Sequence, residues 1–320
     1  MTVLDQSTAE TVASPSLSQR RLRLPAATGL IPFFAFTGGA LLLPILFICV
    51  QAFRKTVQGT PHRDPVTQQF VSESRSGFTF SNLHNSWTGV NASSLWTSVE
   101  LSALTAAIAA VLGLALAYAV VSTNRGWLKQ IVTTASAVTA NFGGIPLAFI
   151  FIATLDANAG IFAKFLQSDL GISLQNDLGF QLTEMSGIAL VYLYFLAPLM
   201  VLVMMPALEG LKPQWSEAAE NLGATRSQYV RWVAAPVLLP SFLGSLLLLF
   251  CAAFSAYATT AALNSSFPLV TIRIASVLSG NVLAGQENLG AALALDMIAI
   301  VLPLTVIYQL LQRRTSRWLS

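Results

Sequence analysis

The sequence predicts an all-α membrane protein with six transmembrane helices. Of its 320 residues, 54% are hydrophobic and 10% are charged, whereas a soluble domain carries about 25% charged residues. The mean hydropathy is +0.66. Six apolar stretches are each long enough to cross about 30 Å of hydrocarbon, which takes about 20 helical residues. These observations exclude a soluble globule, a disordered chain and a collagen-like fibre.

The predicted spans are joined by polar loops and flanked by polar tails. We expect an N-terminal tail over residues 1–26, a membrane domain over 27–311 and a C-terminal tail over 312–320. The first apolar stretch is too long for the core of a signal peptide, and the tail before it has no basic start, so we expect it to be retained. The predicted spans cover residues 27–53, 95–121, 131–155, 186–208, 238–263 and 289–311.

The basic residues predict the orientation of these spans, because Lys and Arg are kept on the cytoplasmic side of a membrane. Most of them lie before the first span, after the second and fourth spans, and after the sixth. Arg54 and Lys55, directly after the first span, favour the opposite orientation. On balance we predict that both termini are cytoplasmic.

The third and fifth predicted spans carry polar or helix-breaking residues. Asn141, followed by Gly143-Gly144 and Pro146, predicts an early break in the third span. The backbone groups that such a break frees need partners, so it either lines a cavity or is a simple kink. Tyr257 and neighbouring hydroxyls of the fifth span either touch a solute or form interhelical hydrogen bonds of about 0.6 kcal/mol each.

Asp296 is the clearest ionisable residue inside a predicted span. A carboxylate near the centre of a membrane helix costs about 3 kcal/mol, so such residues are candidates for a solute path. Asp296 either lines a cavity that favours a cationic or amine-bearing solute, or it bonds to hydroxyls of a neighbouring helix. With Asn141 and Tyr257 it forms our candidate set for the solute path.

The predicted cytoplasmic loop over 209–237 has the signals of an ordered structure. Pro213 suits the first turn of a helix, where its missing N–H costs nothing. Gly223 favours a left-handed stop, and Thr225 with a Gln three residues later predicts a capping box that opens a second helix. Pro236 marks the expected entry into the fifth span. We therefore predict a helix, a glycine bend and a second short helix on the basic side of the membrane.

The loop contains Glu217-Ala218-Ala219, followed by Gly223 four residues after the second Ala, and with this spacing it resembles the EAA loop of ABC importer permeases. The family pattern is Glu-Ala-Ala, a Gly four residues after the second Ala, and an ending of the form aliphatic-x-Leu-Pro; in this ending Ala235 stands where Leu is usual. The position of the loop before the fifth of six spans also fits, and the outline is closest to spermidine/putrescine-type permeases. The residues that carry the resemblance are Glu217, Ala218, Ala219, Gly223, Val233 and Pro236.

The resemblance implies the permease subunit of a binding-protein-dependent ABC importer in a bacterial inner membrane. Such permeases pair with an identical or related permease, dock on a cytoplasmic ATPase dimer and receive solute from an extracytoplasmic binding protein. The solute expected is small and polar, with polyamine-like compounds, phosphonate and iron as candidates. The implied ATPase-docking residues are Glu217, Ala218, Ala219, Glu220, Gly223, Val233 and Pro236.

The sequence has no phosphate-binding loop of the Gly-x4-Gly-Lys-Ser/Thr type, so ATP and Mg²⁺ are expected on the partner ATPase. We expect no catalytic residue, metal ligand or cofactor in this chain. The net charge of +3 is small and scattered, which argues against nucleic acid as a partner.

The alternative is an ion-coupled secondary transporter. It would need paired carboxylates inside the membrane, or matched broken helices in both halves of the chain. Asp296 alone does not meet this need, and the loop over 209–237 would have no explanation.

Overall fold

The fold is mostly helical. The computed structural model describes residues 26–58, 62–63, 70–71, 74–123, 125–177, 179–279 and 287–316. The chain divides into two units, Met1–Phe47 and Ile48–Ser320. Residues 1–25 of the predicted N-terminal tail and residues 317–320 of the predicted C-terminal tail lie outside the described residues.

The helices lie in chain order as follows: α1 (Ala26–Ala52), α2 (Ser81–Ser86), α3 (Gly89–Ser122), α4 (Gly126–Asn141), α5 (Ile145–Leu155), α6 (Ile161–Asp169), α7 (Met185–Glu209), α8 (Pro213–Asn221), α9 (Arg226–Tyr229), a π-helical turn (Val230–Ala234), α10 (Ala235–Phe254), α11 (Ala258–Leu263), α12 (Val270–Leu278) and α13 (Glu287–Ser316).

The apolar helices give five or six candidate membrane spans. Within the described parts of the chain, five segments are long and apolar enough to cross a membrane. They are Ile31–Ala52, Gly89–Ser122, Met185–Glu209, Arg226–Phe254 and Asn288–Leu310. The pair α4 and α5, bent by 100° at the break between them, makes a sixth if it is one span. The number of spans therefore depends on how this bent pair lies in the membrane.

The loop between α1 and α2 contains short antiparallel strands, so the prediction of an all-α chain is wrong there. The strands are β1 (Arg54–Gln58), β2 (His62–Arg63), β3 (Phe70–Val71) and β4 (Ser74–Phe78); β1 pairs with β4 and β2 pairs with β3. A chain that leaves a helix must still satisfy its backbone N–H and C=O groups, and an antiparallel ladder does so locally.

The core is organised around α7, against which α3, α4 and α10 pack. One face of α7 is fully buried, with side chains at intervals of four residues: Tyr192, Leu196, Met200 and Met204. Helix α3 approaches this face closely at Gly113. A Cβ at this glycine would lie 2.6 Å from the carbonyl oxygen of Ala197, so only a glycine allows this packing.

Helix α3 begins six residues before the predicted span, at Gly89. Its first turns are polar, and a search for apolar residues alone therefore misses them. The polar side chains have partners on the segment that forms α12. The Ser98 hydroxyl accepts the Val270 N–H at 2.8 Å, and Asn91 Oδ1 accepts from Arg273 Nε at 2.9 Å. With 34 residues and no proline, α3 is about 51 Å long.

The predicted fifth span, 238–263, has different bounds in the structure. Helix α9, the π turn and α10 run without a break from Arg226 to Phe254. Pro236 has no N–H for the carbonyl of Trp232, and the wider turn of Val230–Ala234 absorbs this defect. Pro236 therefore lies within a continuous helical segment and does not mark the entry into a separate helix.

This segment ends at Phe254, before the predicted end of the span. The Ser255 hydroxyl donates to the carbonyl oxygen of Cys251 at 2.9 Å and also bonds to that of Ala252, so it competes with the helical backbone pattern. Residues 255–257 then separate α10 from α11.

Candidate functional site

Residues 213–229, which we call the elbow, form two helical arms joined at a left-handed glycine. Helix α8 starts at Pro213, as predicted. Gly223 has a φ of +77°, which confirms the predicted left-handed stop. The Gly223 N–H donates to the Glu220 carbonyl oxygen at 2.8 Å, and the Ala224 N–H donates to that of Ala219 at 2.9 Å. These bonds satisfy carbonyl groups at the end of α8.

The second arm of the elbow begins with the predicted capping box. The Thr225 N–H donates to Gln228 Oε1 at 2.7 Å, and the Gln228 N–H donates to Thr225 Oγ1 at 3.4 Å. The predicted second short helix is nevertheless wrong in its length, because α9 continues through the π turn into α10. The elbow is thus joined directly to a candidate membrane span.

Helix α8 has two different faces. Glu217, Ala218 and Leu222 are exposed, and the Leu222 side chain is 88% exposed. Ser216, Ala219 and Glu220 lie about half a turn away and line a cavity beside the membrane helices. The predicted docking residues therefore do not share one surface: Glu217 and Ala218 point outward, whereas Ala219 and Glu220 border the cavity.

The remaining predicted docking residues lie at or after the bend. Gly223 is exposed and forms the bend itself. Val233 is half-buried in the π turn, and Pro236 is exposed at the start of α10. These two residues belong to the connection between the elbow and the span, and they are not part of the outward face of α8.

Two polar contacts brace the region around the elbow. Arg226 Nη2 donates to the Tyr118 hydroxyl at 2.9 Å, which ties the second arm to the end of α3. The Lys129 ammonium lies 2.6 Å from Glu209 Oε1, which ties α4 to the end of α7. Our reading of the sequence did not identify either contact, because the partners in each pair are far apart in the chain.

The cavity beside α8, which we call the elbow cavity, has a volume of about 890 Å³. Side chains of α3, α7 and α10 form its apolar wall, and the elbow forms its polar end. The apolar wall includes Val111, Leu114, Ala115, Met204, Leu208, Leu238, Leu239 and Phe242. The polar end includes Tyr118, Ser216, Glu220, Arg226 and Tyr229.

A second polar region lies where two helical segments are broken. The predicted break after Asn141 is confirmed: α4 and α5 meet at 100°, and Gly144 has a φ of +77°. The Gly144 N–H, freed by the break, donates to Thr259 Oγ1 of α11 at 2.9 Å. The break in the third predicted span therefore contacts the short helix that follows the break in the fifth.

The second break lies between α10 and α11, and its backbone carbonyl groups also bond to side chains. The Tyr192 hydroxyl is 2.7 Å from Thr260 Oγ1 and donates to the Ala256 carbonyl oxygen at 3.3 Å. Thr271 Oγ1 donates to the same carbonyl at 3.2 Å. Thr259 and Thr260 thus form hydrogen bonds between segments, which is one of the two alternatives predicted for them. We call the region of these contacts the junction.

The three candidate solute-path residues lie in different surroundings. Asn141 Nδ2 donates to the carbonyl oxygen of Ala137 in its own helix at 2.8 Å. Tyr257 is 45% exposed, at the break between α10 and α11. The junction brings the breaks beside Asn141 and Tyr257 into contact, but Asp296 lies elsewhere, on α13.

Asp296 is 4% exposed and faces the end of α2. Its Oδ1 accepts the Trp87 indole N–H at 3.1 Å, and its Oδ2 has no hydrogen-bond partner among the described residues. The donor at Oδ1 is thus an indole, and the Ser86 hydroxyl of α2 also lies close to the carboxylate. No group of three or more His, Cys, Asp or Glu in the described part of the chain is arranged to hold a metal ion.

Comparison with known proteins gives one family and several relatives. The family described as "Binding-protein-dependent transport system inner membrane component" matches residues 109–317. A putative ferric transport system permease protein of Haemophilus influenzae is 26% identical over 144 residues, which are 44% of this chain and 22% of that protein. A sulfate transport system permease protein of Salmonella typhimurium is 32% identical over 105 residues, which are 32% of this chain and 35% of that protein. The chain thus matches well under half the length of either relative.

Two solved structures share the fold. One is the crystal structure of a bacterial ABC transporter involved in the import of the acidic polysaccharide alginate, with a TM-score of 0.62 at 15% identity over 90% of this chain and 94% of that chain. The other is a bacterial alginate ABC transporter in complex with an alginate pentasaccharide-bound periplasmic protein, with a TM-score of 0.63 at 15% identity over 90% and 93%.

Proposed function

The chain belongs to the family of binding-protein-dependent transport system inner membrane components, and on this premise we propose that it is the permease subunit of an ATP-driven ABC importer. It forms the solute path together with a second permease, identical or related. A cytoplasmic ATPase dimer binds ATP and Mg²⁺ and docks on the elbow. An extracytoplasmic binding protein delivers the solute on the opposite side.

The outward face of α8 is the observation that carries this proposal. A small residue, Ala218, lies beside Glu217 on a helix that projects from the bundle, and the large apolar Leu222 at its end is 88% exposed. Small residues allow a partner to approach closely, and the burial of an exposed apolar side chain against a partner is energetically favourable. We assign the ATPase contact to this face.

The bend and the connection to the membrane give the elbow its second role, which is to transmit movement. The second arm continues into α10 without a break, so a displacement of the elbow moves a membrane span directly. Arg226 also joins the elbow to Tyr118 of α3. In this proposal Gly223 sets the angle between the arms, while the π turn that contains Val233 accommodates Pro236 and leaves the connection helical.

The junction is the proposed location of the solute path. Broken helices inside a membrane expose polar backbone groups, and such groups are tolerated where they are buried in protein or line a cavity. Asn141 and Tyr257 border the two breaks, and Asp296 is retained as a candidate on the α2 side of the bundle. The solute class is a small polar molecule. Polyamine-like compounds, phosphonate and iron stay candidates, since the names of the two relatives point to two different solutes.

Replacing Glu217 by Lys tests the docking assignment. We expect the chain to insert normally but to lose ATPase co-purification and ATP-dependent uptake by about tenfold or more, because the substitution reverses a charge on the contact face. The control is Ser227→Lys, which adds a positive charge to an exposed residue of the second arm. The measurement is retention of the ATPase on the tagged chain in mild detergent, followed by uptake in proteoliposomes.

Two outcomes would overturn the proposal. Undiminished ATPase binding by the Glu217→Lys chain would move the docking surface away from the outward face of α8. Uptake that needs an ion gradient and no ATP would support the ion-coupled secondary transporter, which the family match does not favour.

A further inference from the structure

We propose that the elbow cavity binds a phospholipid whose headgroup carries both a phosphate and a primary ammonium group, such as phosphatidylethanolamine. The acyl chains lie along the wall formed by α3, α7 and α10, and the headgroup lies between the two arms of the elbow. This inference does not depend on the proposed ATPase contact, which uses the opposite face of α8.

The shape and polarity of the cavity fit an amphiphile. Its apolar wall extends along α3 from Tyr118 to Val111, a length of about 10 Å. Its volume of about 890 Å³ lies in the range of about 300–1,000 Å³ that is typical of small-molecule sites. Polar side chains occur only at the elbow end. A molecule that fills this cavity must therefore be apolar along most of its length and polar at one end.

Two unpaired charges at the elbow end select the headgroup. Glu220 and Arg226 both line the cavity as exposed side chains, and neither takes part in an ion pair; within the described residues the one ion pair joins Lys129 and Glu209. Arg226 donates one hydrogen bond to Tyr118, and its guanidinium has further N–H groups for a phosphate. Glu220 complements an ammonium group. A zwitterionic aminophospholipid satisfies both charges, whereas a purely anionic lipid leaves Glu220 without a partner.

The open side of the cavity favours lipid over protein as the occupant. Val111 and Leu239 line the cavity and are 64% and 52% exposed, and both belong to candidate membrane spans. In the single chain this side is therefore open to the bilayer, where acyl chains are the most abundant apolar groups, and the cross-linking from Ala115 described below tests whether a second permease covers it instead. The polar end lies at the end of α3, which matches the depth of a lipid headgroup at a bilayer surface.

The test measures lipid bound to the purified full-length chain. The chain is equilibrated in mild detergent with equal amounts of phosphatidylethanolamine and phosphatidylglycerol, and bound lipid is counted by native mass spectrometry. Ala115→Phe fills the apolar wall, and we expect it to lose the bound phosphatidylethanolamine. The matched control is Ala107→Phe, an exposed alanine of the same helix outside the cavity, which should keep the lipid. Ala235→Phe repeats the test from the α10 side if the first variant does not insert.

A second comparison tests the headgroup. Glu220→Gln removes the partner of the ammonium group and should lower the preference for phosphatidylethanolamine over phosphatidylglycerol by about fivefold, the effect of one exposed ion pair. Tyr118→Phe removes the hydrogen bond to Arg226 but keeps the guanidinium, so it should retain the preference.

The proposal is overturned if the unaltered chain binds both lipids equally, if Ala115→Phe retains as much lipid as Ala107→Phe, or if cross-linking from Ala115 captures a second copy of this chain inside the cavity. The measurement needs neither ATP nor an ATPase, so its failure leaves the docking proposal unaffected.

Discussion

Gly223 controls the angle of the elbow through its backbone conformation and not through packing. A Cβ at this position would meet no atom within 4 Å, so the space is open, but φ is +77°. A β-branched residue is strongly disfavoured there, whereas Asn adopts left-handed conformations at lower cost.

We therefore expect Gly223→Val to loosen the elbow and Gly223→Asn to preserve it. The left-handed conformation costs roughly 1–2 kcal/mol for a residue with a Cβ. The amide protons of residues 223 and 224 form the hydrogen bonds at the end of α8, and they should exchange about tenfold faster in the Val variant. Hydrogen exchange of the purified chain measures this. Equal exchange in all three proteins would mean that the bend does not depend on glycine.

At the scale of single residues, the sequence predicted the features that depend on residues close to one another in the chain. The left-handed Gly223 and the capping box of Thr225 and Gln228 involve residues within four positions of one another, so the residue types are sufficient. The bonds of Tyr192 to Thr260 and of Trp87 to Asp296 join residues 68 and 209 positions apart. Such partners follow from the packing of the helices, and single residues give no sign of them.

At the scale of elements, the two broken segments meet at the junction. The break between α4 and α5 leaves the Gly144 N–H without a helical acceptor, and Thr259 of α11 supplies one. The first break is thus stabilised by the segment that contains the second, whose own Ala256 carbonyl accepts from Tyr192 of α7 and Thr271 of α12. Removal of the hydroxyl leaves a partly buried N–H group without a partner, which costs about 1–3 kcal/mol.

Thr259→Val should accordingly lower the apparent Tm of the purified chain by several degrees, at roughly 2–4 °C per kcal/mol. The control is Thr154→Val, because the Thr154 hydroxyl donates to a carbonyl of its own helix and its loss leaves no buried donor. A thermal scan in detergent compares the three proteins. If both variants melt together with the unaltered chain, the bond to Gly144 does not hold the junction.

The fifth predicted span shows that an apolar pattern does not give the residues at which a helix begins and ends. Hydropathy located the apolar segments, but it placed the fifth span over 238–263. The structure extends that helical segment back to Arg226 through a π turn and ends it at Phe254. A π turn changes the backbone register without changing composition, and residues 255–257 are little less apolar than their neighbours. Hydropathy therefore gives no sign of either feature.

At the scale of the whole molecule, Asp296 and Trp87 connect parts of the chain that are 209 positions apart. The bond joins the last long helix to the segment between α2 and α3. Interhelical hydrogen bonds in membrane proteins contribute about 0.6 kcal/mol on average and up to about 1.7 kcal/mol.

A double-mutant cycle of Trp87→Phe and Asp296→Leu, which removes the acceptor oxygens, should therefore show clear non-additivity in the free energy of unfolding. The double variant should be only slightly less stable than either single variant, because each one already breaks the bond. Trp96→Phe, which alters an exposed indole on α3, is the control. Additive effects would mean that Asp296 and Trp87 contribute separately, and the solute-path assignment of Asp296 would then gain support.

The length of α3 has a mechanical consequence. An unbroken helix of 34 residues is stiff, and it touches the elbow through Tyr118 and α12 through Asn91. Its close approach to α7 at Gly113 lies about 8 Å along the axis from Tyr118 but about 33 Å from Asn91. If this approach is a fulcrum, α3 is a lever with arms of roughly one to four. A sideways step of about 1 Å at the elbow would then swing the far end by about 4 Å in the opposite direction.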